Sequence, residues 1–140
     1  MTTTISAATV TTTSRPGRVY NAVLWTLQVL LAAVFAFSAY GKLTADAQNV
    51  AGFEAMGLGT AGMYIIGALE LAGAVAMFVP RLTGLAAAGF VALMVGAVVI
   101  TSSMGARAMV AIPATVGVVA AVVAYGRRES TKALLAQLRR

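Results

Sequence analysis

The chain has no cysteine and no histidine. It cannot build a dithiol redox centre, a thiolate metal site, a histidine-ligated haem or a serine–histidine triad from its own residues. No metal site and no covalent cofactor are expected, and the isolated chain leans away from being an enzyme. Charge is also scarce. Only 10% of the 140 residues are charged and 60% are hydrophobic, against about 25% and about 45–50% in a soluble domain. Such a composition excludes an ordinary soluble core and fits an integral membrane protein. No polar linker is long enough to separate domains, so one bundle is expected.

Lys and Arg number 10 against 4 acidic residues, for a net charge of +6. In a soluble chain this excess would suggest nucleic acid. Here the basic residues flank the apolar runs, so the expected partners are the lipid bilayer and anionic lipid at the cytoplasmic face, with no nucleic acid.

Four apolar runs follow one another, at about residues 20–43, 60–79, 82–101 and 108–125. Each is close to the roughly 20 residues that cross a bilayer core as a helix. The first is too long for the apolar part of a cleaved signal peptide, which is about 7–15 residues. The expected fold is all-α, an integral membrane four-helix bundle occupying residues 19–126. Residues 1–18, rich in Thr, Ser and Ala at their start, read as a disordered cytoplasmic tail. Between the first two spans, Asp46, Gln48, Asn49 and Glu54 alternate with Val50, Phe53 and Met56. This pattern predicts a short interfacial helix, stopped by Gly57 and Gly59. Pro80-Arg81 makes so short a connection that the second and third spans are expected as an antiparallel neighbouring pair. Pro113 falls near the start of the fourth, where a helix tolerates it. Residues 127–140 form a basic amphipathic tail, with Leu134, Leu135 and Leu138 opposing Lys132, Arg139 and Arg140.

An even number of spans puts both termini on one side. That side carries Arg15, Arg18, Arg81, Arg127, Arg128, Lys132, Arg139 and Arg140, and the other only Lys42 and Arg107. The positive-inside rule makes the first side cytoplasmic.

Glu70 lies in the middle of the second run, where a charge is costly unless it is neutralised, paired or wetted. On a helix it shares a face with Gly67, Gly73 and Ala74, small residues that let a neighbouring helix approach. It is a candidate for handling a proton or orienting a ligand, and equally for a single structural hydrogen bond. Lys42, at the end of the first span, is either a counter-charge or a boundary lysine that snorkels. Glu70 lies about ten residues into its span, or about 15 Å at a rise of about 1.5 Å per residue. On that count Lys42 sits too high for tight contact, and Glu70 is expected as a neutral acid. Ser38 and Tyr40 are expected to line a polar cavity between the two, with Arg107 entering from the fourth span. Trp25 reads as an interfacial anchor and Gln28 as an interhelical hydrogen-bonder. Gly84, Gly89 and Gly96 read as packing positions.

The segment Phe37-Ser38-Ala39-Tyr40-Gly41-Lys42-Leu43 resembles the F-S-G-x-x-K-L ending of the first span in DoxX-like proteins. Gly67-Ala68-Leu69-Glu70-Leu71-Ala72-Gly73 resembles their G-x-x-E-x-x-G, and Pro80-Arg81-Leu82-Thr83-Gly84 their short basic hairpin. Ala39 stands where Gly is usual. The resemblance covers about residues 24–104 with the order of all three features kept. It implies a four-helix protein of the bacterial inner membrane. Relatives include a subunit of a thiosulfate:quinone oxidoreductase and a membrane component of a redox-stress complex. By that resemblance, Lys42 and Glu70 are the polar positions to carry over, and a quinone is the candidate ligand. The expected role is a membrane partner or quinone-binding subunit of a redox system, beside a redox protein partner. Two other roles stay open: a carrier for a small apolar or weakly acidic solute, and a structural or assembly protein. So does a homo-oligomer.

Overall fold

A computed structural model describes residues 17–139. Most of the N-terminal tail, residues 1–16, lies outside the described residues, as does Arg140. Every regular element among the described residues is helical. In chain order they are α1 (Arg18–Leu43), α2 (Ala47–Ala55), α3 (Gly59–Ala76), α4 (Thr83–Ser103), α5 (Ala111–Gly126) and α6 (Arg128–Leu138). A 3-10 turn, Arg107–Val110, leads into α5.

Four of these helices are long and apolar enough to cross a membrane, the 3-10 turn counting with α5. A helix bonds its own backbone groups, so it suits an environment without water. The outward faces are mostly apolar, with Phe37 81% exposed and Ile65 62% exposed. An apolar exterior of this extent is a liability in water and the expected lipid-facing surface in a bilayer. These four helices coincide with the four apolar runs of the sequence, within a few residues. α3 ends at Ala76, three residues before the expected boundary at Val79.

The interfacial segment is the helix α2. Asp46 caps it by accepting from the Gln48 N–H at 3.0 Å. Gly57 and Gly59 end the connection with φ of +73° and +60°, a conformation that glycine adopts without strain. α2 packs chiefly on α3 and turns Phe53 inward.

The long helices pack as two close pairs, α1 with α3 and α4 with α5. α3 and α4 are antiparallel and consecutive, as expected, yet they touch far less than either pair does. Their short connection fixes them at one end only. At that end, which also holds Arg18 and Gly126, the two pairs meet in one core of Leu31, Ala32, Ala74, Met77, Ala87 and Val123. Toward the far end, which holds Lys42, Gly59 and Ser103, the pairs part. The last carbonyls of α3 have no partner in their own helix. The Met77 carbonyl accepts from the Gln28 amide and from the Thr83 hydroxyl, the latter at 3.1 Å. Gln28 thus makes the interhelical bond its sequence suggested. α6 seats its first turn on α4, where Gly84 leaves room for the Thr131 hydroxyl and the Arg127 carbonyl.

Candidate functional site

Lys42 ends α1 beside Gly67 of α3. A Cβ at Gly67 would lie 3.0 Å from the Lys42 Cβ, so glycine here lets the helices close on each other. α1 and α3 run antiparallel. Side chains on a helix lean toward its own N-terminus. Lys42 therefore leans into the bundle and Glu70 leans back toward the far end, and the two meet between their helices. The Lys42 Nζ donates to both Glu70 oxygens, at 3.1 and 2.9 Å, and to the Ser38 Oγ at 2.5 Å. The side chains of Lys42 and Glu70 are 11% and 5% exposed.

This arrangement corrects the expectation that Lys42 sits too high to reach Glu70. α1 ends level with Gly67, well below the start of α3, because α2 and its turns fill the height between them. Glu70 is therefore not isolated: the geometry is that of a buried ion pair, with both carboxylate oxygens on the Lys42 ammonium.

The pair lies at the wall of a cleft of about 810 Å³, formed where the two helix pairs part. That volume falls within the range of small-molecule sites, about 300–1,000 Å³. The cleft is floored by Phe35 of α1 and Phe90 of α4, whose rings stack with centroids 3.6 Å apart and planes 6° from parallel. Gly73 makes room for that floor, since a Cβ there would lie 2.6 Å from the Phe90 ring. The G-x-x-E-x-x-G pattern thus has a physical reading. One glycine admits the lysine, the other admits the aromatic floor, and the glutamate sits between them. Phe53 of α2 lines the cleft from above. Gly89 and Gly96 are not packing positions. Nothing lies within 4 Å of a Cβ at either one, and both line the cleft. Gly84 does pack, against α6.

Val34, Leu69 and Ile112 line the cleft and are also 51%, 54% and 71% exposed. The cleft therefore opens sideways, on the face that would meet hydrocarbon. Of the five candidate residues, Ser38, Lys42 and Glu70 come together. Tyr40 does not join them: it is 67% exposed and lies two residues from Ser38, on the far side of α1. Arg107 lies exposed in the 3-10 turn, outside the cleft lining, and takes part in none of the ion pairs among the described residues. Phe35 and Phe90 were not singled out in the sequence. Their only signal was the glycine across from one of them.

A bundle of four membrane-type helices, with a lysine–glutamate pair buried beside an apolar cleft, defines the class of this protein. The particular family follows from comparison with known proteins. The model of the DoxX-like family matches residues 26–123, so the match runs on through most of α5, and the chain belongs to this family. No match was found among curated proteins or among solved structures.

Proposed function

We propose that the cleft binds a quinone-like molecule from the bilayer, and that the protein serves a redox system as its quinone-binding membrane subunit or partner. The observation that carries this reading is the buried Lys42–Glu70 pair facing an apolar, sideways-open cleft. The chemistry follows from the bonds already made. The three ammonium hydrogens of Lys42 are matched by its three acceptors. Ser38 Oγ accepts one of these, so its own hydrogen is free to donate to a ligand carbonyl. Each Glu70 oxygen keeps a lone pair for a ligand hydroxyl. A quinone carbonyl accepts from Ser38, and a hydroxyl of the two-electron, two-proton reduced form donates to Glu70, so each redox state engages one of the two groups. A quinone accepts two electrons and two protons, so the proposed protein partner supplies the electron-donating group.

The same bonds support a second reading. A fully satisfied ammonium is what a structural clamp between α1 and α3 requires. The two readings separate at Ser38. Protein purified in mild detergent should carry quinone in near-stoichiometric amount, and Ser38→Ala should lose it while the bundle stays folded. Quinone absent from wild type, or retained equally by Ser38→Ala, would leave only the clamp.

A further inference from the structure

The opposite end of the bundle holds a second, smaller pocket of about 70 Å³, lined by Trp25, Gln28, Thr83, Arg127 and Ser130 among others. Three buried polar atoms have no partner among the described residues: Gln28 Oε1, Arg127 Nε and Arg127 Nη2. Gln28 is only 2% exposed, and its amide nitrogen is already spent on the Met77 carbonyl. Nε and Nη2 together form one fork edge of the guanidinium, the edge that grips an oxyanion with two parallel hydrogen bonds. Among the described residues, no carboxylate serves it. None of the ion pairs among the described residues includes Arg127, and Glu129 on the same tail is taken by Lys132 and Arg128.

The fold holds this arginine in place. A Cβ at Gly126 would lie 2.7 Å from the Leu24 side chain, and one at Gly84 would lie 2.7 Å from the Arg127 carbonyl. Two glycines thus press the corner between α5 and α6 onto α1 and α4. Trp25 backs the guanidinium from 5.7 Å. Leaving buried donors unmatched costs about 1–3 kcal/mol each, more when charged. A pinned, charged fork with no acceptor among the described residues is therefore the signature of a site completed from outside.

We propose that this pocket binds one phosphate group, its oxygens accepting from Arg127 Nε and Nη2 and a hydroxyl of the same molecule donating to Gln28 Oε1. Phosphate at this level of the bundle comes either from an anionic phospholipid headgroup or from free phosphate. Phosphatidylglycerol offers a phosphate and hydroxyls together, and so does the monohydrogen form of inorganic phosphate.

Trp25 is the only tryptophan, so its emission reports on this pocket directly. The full chain in dodecyl maltoside micelles, which supply no phosphate, is titrated with phosphatidylglycerol in one arm and inorganic phosphate in the other. A saturable change in Trp25 emission in either arm is expected, and the responding arm identifies the source. Arg127→Gln should weaken that binding at least tenfold, and Arg127→Lys should weaken it as well because the fork is lost. Arg139→Gln, which removes an exposed charge from the same tail, should leave it unchanged. If Arg127→Gln does not fold, the wild-type titration and the Arg139 control still decide. No Trp25 response to either source means that water alone fills the pocket, and overturns the proposal. Equal weakening by Arg139→Gln would assign the response to diffuse surface charge and also overturn it.

Discussion

Around Met77 and Val123 the four long helices meet without a gap, whereas around Glu70 the same helices part. The packed half is built from Ala, Leu, Met and Val, and Gln28 and Thr83 satisfy a free carbonyl there at the end of α3. The open half keeps its gap by two means. Gly89 and Gly96 present no side chain across it. The Lys42–Glu70 pair ties α1 to α3, so the gap falls between the pairs and not within one. The contrast teaches that the polar pair is placed where packing has been given up. One half holds the bundle together and the other leaves room.

The sharpest way to break the contrast is to break the pair. Removing one partner of a buried ion pair leaves an uncompensated charge and costs about 3–5 kcal/mol. Glu70→Gln and Lys42→Met should each lower unfolding stability by about that much, measured by thermal or denaturant unfolding in detergent. The double variant Lys42→Met/Glu70→Leu should recover most of the loss, because no unpaired charge remains. A Glu70→Gln variant as stable as wild type would show that the two residues are not coupled in the folded protein.

A smaller effect is expected where the two halves join. Gly73→Ala places a Cβ 2.6 Å from the Phe90 ring, which must then move and spoil its stack on Phe35. Overpacking of this kind costs about 1–3 kcal/mol. Gly96→Leu should do the reverse. Nothing lies within 4 Å of its Cβ, so stability should shift by no more than about 0.5–1 kcal/mol while the cleft is filled. Comparing the two glycines in one unfolding series tests directly whether the halves differ as described.

The smallest effects belong outside both halves. Tyr40→Phe and Arg107→Ala should change stability and ligand binding within about 0.5 kcal/mol, since neither side chain reaches the cleft. On α6, hydrogen bonding and charge from Lys132 hold the Glu129 carboxyl below its ordinary value of 4.5. A lowered value means that the pair is intact above the ordinary carboxylate range and is lost as pH falls through the lowered value. Because Glu129 is fully exposed, acidification should increase amide exchange only in the first turn of α6, with the bundle unaffected.

Much of this was legible in the sequence. The four apolar helices follow from run length alone, and the helix α2 from mixed polar and apolar residues stopped by two glycines. Ser38 and Lys42 are four residues apart and so share a helix face, which the sequence pattern already implied. The same arithmetic should have removed Tyr40, two residues on and roughly 200° around the helix at 3.6 residues per turn. A residue count from the span start overestimates the height of Lys42, because the level at which α1 ends depends on how much chain α2 takes up. The lean of each side chain toward its helix N-terminus then closes the remaining distance. The splay of α3 from α4 was not legible, because a short connection predicts adjacency at one end and says nothing about the other. Nor was the Phe35–Phe90 floor. Among so many apolar residues, no pattern marks two phenylalanines as partners.

The central claim is that the open half is a ligand site and not merely loose packing. It is tested most directly by equilibrium binding of a short-tailed quinone to the purified chain in nanodiscs, for wild type beside Gly96→Leu. The expected result is one saturable site in wild type, weakened at least tenfold in Gly96→Leu while the unfolding midpoint stays within a few degrees. Binding that is absent from wild type, or equal in a folded Gly96→Leu, would contradict it.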